Sequence, residues 1–298
     1  MMEYELRRGA LRARVTTKGA ELIALQGADG TQYIWEGDPA VWPGRNPNLF
    51  PIVGGLKGGA VSFGEQTVRM GRHGFARDME FALVRHEEDA ILLQLQENDI
   101  TLAQYPFRFA LTIRHQLLDN GFTTMFQVEN RDQKVLPFCI GGHTAFRCPM
   151  GEGERFEDYQ LVFEHREDVA SPLVTTEGTL SQTDTERFLA DSDTLPLDYD
   201  LFRRVDTVMF RGLRSKQVSL VHRASGRGVR MDFGQFPMVA FWTKAGAPFL
   251  CMEPWHGCAA LERESGQFTE KPYCICLRPG EKKQLSYTVT LLPKMGNI

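Results

Sequence analysis

The 298-residue sequence has no run of five like charges, no low-complexity tract, no internal repeat and no apolar stretch approaching a membrane span. At a net charge of −4 it builds no extended basic field, so nucleic acid and lipid headgroups are not expected partners, and a small or neutral one is. The longest apolar segments, such as residues 236–242, fall far short of the ~20 residues of a spanning helix. Met1-Met2-Glu3-Tyr4-Glu5 carries acids where a secretory leader needs apolar residues, so a soluble, cytoplasmic chain without membrane attachment is expected. Cysteine is sparse and unpatterned. Cys139, Cys148, Cys251, Cys258, Cys274 and Cys276 lie in apolar or turn-like sequence, in a chain too long to need disulfide staples, and are expected to be reduced. Cys274-Ile-Cys276 is neither a C-x-x-C redox pair nor a zinc knuckle, and no metal-ligand set is visible in the spacing.

Helical patterns are also few: residues 99–105, 167–169 and a turn near 38–42. Period-two alternation recurs throughout. It is clearest at Phe109, Leu111, Ile113 and Leu117, then at Phe122, Thr124, Phe126 and Val128, with Asp119-Asn120-Gly121 between them. Asn-Gly supplies the positive φ angles of a tight turn, which predicts a hairpin. Further hairpins are predicted from residues 81–86 with 90–96 and 218–222 with 229–233, and short strands at 21–25, 239–242, 249–253 and 285–291. The pattern predicts an all-β chain, a large twisted sandwich of antiparallel sheets running from 1 to 298 as one domain. Residues 149–206 are more polar and less regular, and are read as long loops and hairpins over one face, where binding residues gather.

Four loop-like segments combine a backbone punctuator with titratable or aromatic side chains: residues 45–54, 72–78, 141–146 and 253–257. His73 and His143 beside glycines, and Glu253 before Pro-Trp, suit a neutral-pH acid and base, because imidazole titrates near ~6.5 and an apolar wall raises a carboxyl. Trp42, Trp255 and Phe75 offer flat faces for a sugar ring. His86, His115, His165 and His222 sit in strand-like runs and read as structural; Trp35, Trp242 and most phenylalanines read as core.

Taken together, the segments give the chain a resemblance, over nearly its whole length, to the aldose 1-epimerases (galactose mutarotases), in their LacX-like bacterial branch. The residues that carry it are Tyr33-Ile-Trp35, Gly37-Asp-Pro39 and Trp42, then Asn48-Leu-Phe-Pro-Ile-Val-Gly54, His73-Gly-Phe-Ala-Arg-Asp78 and Gly142-His-Thr-Ala-Phe146. The segment from Phe202 to Phe210, Glu253-Pro-Trp255 with Gly257, Lys271 and Leu277-Arg-Pro-Gly-Glu281 complete it. The resemblance implies a galactose mutarotase-like β-supersandwich, a sugar held in a cleft on one sheet, and no metal or organic cofactor. It also implies mutarotation, with Glu253 as base, His143 as acid, His73 as a second imidazole toward the ring-side oxygens, and Asp206 bonding sugar hydroxyls.

The sequence departs from the family pattern at three places. Many relatives carry Gly-Arg where this chain has Gly54-Gly55, which leaves Arg45, or next Arg77, to supply the missing contact, and Asp78 is a further substrate-binding candidate. Thr144 stands where proline is usual, and His256 where an aromatic is common. Two alternatives stay open. Arg45, Lys57, Arg72 and Arg77 would serve a hexose 6-phosphate if they converged, and a catalytically silent sugar-binding protein would keep the cleft without turnover.

Overall fold

In the computed structural model, which describes residues 1–294, the alternation around position 115 becomes two paired antiparallel strands, Phe109–Leu118 and Gly121–Asn130. The hairpin is as predicted, but its turn is not: neither Asn120 nor Gly121 has a positive φ. Gly121 is required by a close approach instead, since a Cβ there would lie 1.9 Å from the carbonyl oxygen of Val289 on the neighbouring strand.

Nine antiparallel strands form the larger sheet, in the order Leu180–Pro196, Tyr159–Val174, Gln217–His222, Gly228–Asp232, Lys282–Leu292, Gly121–Asn130, Phe109–Leu118, Ala90–Gln96 and Ala82–His86. A six-stranded sheet runs Thr207–Arg211, Met238–Trp242, Phe249–His256, Ile140–Gly142 and Asn48–Leu49, with Thr144–Arg147 also paired to Phe249–His256. Glu3–Arg8, Leu11–Thr16 and Leu22–Gln26 make a separate three-stranded sheet. The apolar faces of all three sheets merge into one core cluster. Phe163 of the larger sheet, for example, meets Phe210 and Phe241 of the smaller at ring separations of 5.8 and 6.0 Å. The predicted all-β class holds, and no helix among the described residues is long and apolar enough to cross a membrane.

Residues 149–206 differ most from expectation. Rather than long loops, they contain the two longest strands, Tyr159–Val174 and Leu180–Pro196, and the helix Tyr199–Val205. Their pairing slips register at several points, which breaks the period-two signal, and the solvent-facing positions of an outer hairpin are polar. Residues 167–169 are strand, not helix: the buried carboxylate of Glu167 accepts from the Ser215 amide (2.7 Å), the Ser215 hydroxyl (2.6 Å) and the Arg214 amide (3.2 Å). A helix is present after Asn98, shorter than read, at Asp99–Leu102, and the turn at Asp38 closes through the Trp42 amide (2.8 Å).

Candidate functional site

Strand alternation puts Cys251, Glu253 and Trp255 on one face of Phe249–His256. The neighbouring strand Thr144–Arg147 pairs Thr144 with Met252, so His143, one residue earlier, stands opposite Glu253. Its Nε2 lies 3.2 Å from Glu253 Oε2, with both side chains buried. Thr144, in place of the usual proline, is part of what holds this segment. Its buried hydroxyl donates to Asn46 Oδ1 (2.7 Å) and meets the Tyr287 hydroxyl at 3.1 Å.

His73 reaches the same place from a loop. Its amide donates to the Gly54 carbonyl (2.8 Å), and the Gly54 amide donates back to its Nδ1 (3.1 Å). Because Nδ1 accepts, the neutral ring carries its proton on Nε2. The clasp needs glycine at 54: φ is +71°, and a Cβ would fall 2.5 Å from the Ala259 Cα. His73 itself sits in the left-handed region at φ +67°. The two imidazoles meet edge to face at 5.4 Å.

Around this pair is a cavity of about 280 Å³. Trp42 stacks on His143 at 5.2 Å and Trp242 meets it edge-on at 5.8 Å, while Trp255 lies 6.4 Å from His73. Asp206, Arg72 and Arg77 line the rest with the tip of the long hairpin, Val174, Gly178 and Leu180. That tip is held by reciprocal backbone bonds, the Leu180 amide to the Ala260 carbonyl (2.8 Å) and the Glu262 amide to the Leu180 carbonyl (2.9 Å). Asp206 ends the helix Tyr199–Val205 at φ +59°, which turns the chain into Thr207–Arg211.

Burial governs the electrostatics. It lowers the His143 pKa to about 3, with Arg77 and Arg72 pushing the same way, and it holds His73 well below the ordinary imidazole value, with His143, Arg77 and Arg72 adding to it. Burial also raises the Glu253 carboxyl well above the usual carboxylate range; Asp206 adds to this, while the Trp255 indole and Arg72 oppose it. The indole faces the carboxylate without a well-formed hydrogen bond, and His143 Nδ1, Glu253 Oε2 and Trp255 Nε1 all lack partners. Free polar atoms in a dry wall suit a hydroxylated guest that would supply the bonds. A metal is a different kind of guest for the same wall, because His143, Cys251 and Glu253 offer donor atoms all within 4.8 Å of one another. Sequence spacing hid this set, since His143 comes from the distant junction between Ile140–Gly142 and Thr144–Arg147.

Of the residues singled out in the sequence, Glu253, His143, His73, Trp255, Trp42, Asp206 and Arg77 converge on the cavity. Four others do not, and one of them is Lys57, whose Nζ donates to the Glu262 carbonyl (2.7 Å) instead of lining the cavity. The Arg45 guanidinium turns away, its Nε donating to the Glu36 carbonyl (2.7 Å), and lines outer grooves. Asp78 lies in one of those grooves, 3.7 Å from the Arg77 Nε. Phe75 is buried against Phe50 and Phe109, each at 6.0 Å, because its ring points inward from the short turn that presents Arg77. Trp242, read as core, is half-buried and lines the cavity, as does Arg72. The remaining histidines lie outside the cavity lining; His115 is completely buried, while His86 and His165 are exposed.

The aldose 1-epimerase family model matches residues 2–290. The chain is 35% identical to the chromosomal Protein LacX of Lactococcus lactis subsp. lactis, over 98% of this chain and all of that one. Its fold superposes on a galactose mutarotase related enzyme from Lactobacillus acidophilus with a TM-score of 0.93 at 27% identity, covering 100% of this chain and 99% of that one. A galactose mutarotase-like protein from Lactobacillus casei ATCC 334 gives 0.91 at 28% identity, covering 98% and 100%. With its fold and whole-length match in agreement, the chain belongs to the aldose 1-epimerase family.

Proposed function

We propose that the protein is a mutarotase that interconverts the α and β anomers of an aldohexose at Glu253 and His143, without a cofactor. The observation that carries the reading is the 3.2 Å approach of a buried carboxylate to a buried imidazole in a cavity walled by three tryptophans. Glu253 takes the proton of the anomeric hydroxyl as the C1–O1 bond becomes a carbonyl. The C1 to ring-oxygen bond breaks, its electron pair goes to that oxygen, and His143 protonates it. Rotation about C1–C2 and the reverse proton transfers close the other anomer.

The pair therefore works with one proton between its two members. Burial favours the uncharged arrangement, with the proton on Glu253; a sugar that donates O1–H to the carboxylate and accepts at its ring oxygen favours the charged one. His73, with its proton on Nε2, donates to a ring-side oxygen, Asp206 accepts from hydroxyls, and Trp42, Trp242 and Trp255 cover the apolar sugar face. A second reading, epimerisation of a hexose 6-phosphate, draws on the placement of both Arg72 and Arg77 at the cavity rim, with no carboxylate among the described residues within ion-pair reach of Arg72.

Anomer exchange followed by NMR on free and 6-phosphorylated aldoses tests both. Accelerated exchange of a free hexose supports the first reading, a requirement for the phosphate supports the second, and binding without exchange leaves only a sugar-binding protein.

A further inference from the structure

We propose that His143, Cys251 and Glu253 form a binding site for a thiophilic divalent cation of the Zn²⁺ class, and that occupancy shuts off the acid–base pair. The site itself rests on the donors alone; only its inhibitory effect rests on the reaction proposed above. Cys251 and Glu253 alternate onto the same face of one strand, and His143 faces Glu253 from the next. All three are buried, their donor atoms lie within 4.8 Å of one another, and Glu253 Oε2 has no hydrogen-bond partner.

A tetrahedral ion with bonds of ~2.0–2.3 Å holds its ligands about 3.5 Å apart. The His143–Glu253 edge, at 3.2 Å, is already there, and the other edges need to close by at most about 1.3 Å. His143 and Glu253 line the cavity, so water or a sugar hydroxyl would complete the shell from that side.

Charge also matches. Bound as thiolate, carboxylate and neutral imidazole, the three donors supply two negative charges, which match a divalent ion and leave the buried complex neutral, the displaced protons going to solvent. No oxidant or reductant takes part. The ion occupies the base and the acid together, so the proton relay stops.

Co²⁺ is the probe. Cys139, Cys274 and Cys276 gather at the paired strands Leu136–Phe138 and Ile275–Leu277, so the measurement uses a Cys274→Ser background to remove that competing cluster. One Co²⁺ per chain should bind with a thiolate-to-cobalt charge-transfer band in the near ultraviolet and release protons in weak buffer. Adding Cys251→Ala should abolish the band, leave anomer exchange near the parent rate and raise the Zn²⁺ concentration needed for inhibition at least tenfold. A parent complex lacking the band overturns the site, even if Cys251→Ala does not fold. Equal Zn²⁺ sensitivity with and without Cys251, or faster exchange on adding Zn²⁺, also overturns the proposal. Because the cobalt spectrum needs no turnover, it decides the site even if the protein proves not to be a mutarotase.

Discussion

Each of the two large sheets buries a histidine, and burial lowers the pKa of both: His115 in the nine-stranded sheet to about 4, His143 at the smaller sheet to about 3. What separates them is hydrogen bonding. His115 meets the Ala20 carbonyl at 2.7 Å through Nε2 and the Thr124 hydroxyl at 2.9 Å through Nδ1. Since a carbonyl only accepts, Nε2 donates there and Nδ1 accepts from the hydroxyl. His143 has no partner at Nδ1 and a carboxylate, not a backbone group, beside Nε2. A buried histidine with both nitrogens satisfied stabilises a fold, whereas one left open beside a second titratable group is placed for chemistry.

The contrast can be broken most directly at the site. Glu253→Gln keeps the shape and removes the base, so anomer exchange should fall by ~10² or more, and His143→Ala should do the same by removing the acid. Near-parental turnover in either, measured by polarimetry or NMR exchange, would refute the assignment. His115→Ala should do the opposite. It loses two satisfied bonds and leaves a cavity, for a cost of about 2–4 kcal/mol in urea unfolding, with turnover per folded molecule unchanged. If His143→Ala loses more stability than His115→Ala, the division between the two sheets fails.

The rim arginines give a smaller effect. Arg77→Ala and Arg72→Ala should each raise KM roughly tenfold to a hundredfold through loss of a charged donor worth about 1.5–3 kcal/mol. Arg45→Ala should leave KM unchanged, because that side chain bonds the Glu36 carbonyl outside the cavity. A KM rise only for Arg45→Ala would reverse the placement.

Acid sensitivity sharpens the comparison further. The unfolded chain protonates His115 near 6.5 while the folded chain resists to about 4, so this residue's share of stability is complete above pH 6.5 and is lost as pH falls toward 4. His73 and His143 act in the same direction. Glu253 acts oppositely, its raised carboxyl giving stability below the ordinary carboxylate value that is lost as pH rises through the folded value. His115→Ala should therefore flatten the fall of unfolding free energy between pH 6.5 and 4 by at most about 3 kcal/mol. An unchanged slope would show that His115 titrates alike in both states.

Much of this was legible beforehand wherever a signal was local. The hairpin at Asp119 follows from period-two alternation, the strand carrying Glu253 from the short apolar run that opens it, and the loops carrying His73 and His143 from their glycines. The long hairpin Tyr159–Val174 with Leu180–Pro196 was not legible, because register slips erase the alternation and Glu167 takes its donors from residues 214 and 215. Nor was Phe75, since a phenylalanine beside a histidine and an arginine looks the same whether its ring faces a ligand or the core.

The sequence by itself determined the sheet-rich class, the family and the residues proposed as acid and base, because alternation, turn residues and ordered motifs act over a few neighbours. The tertiary structure alone decided which cations stand at the cavity, that Trp242 joins its wall, and that Cys251 lies with His143 and Glu253. Those outcomes depend on which distant strands become neighbours and which way each side chain points. Long-range pairing sets both, and no short window of sequence contains it.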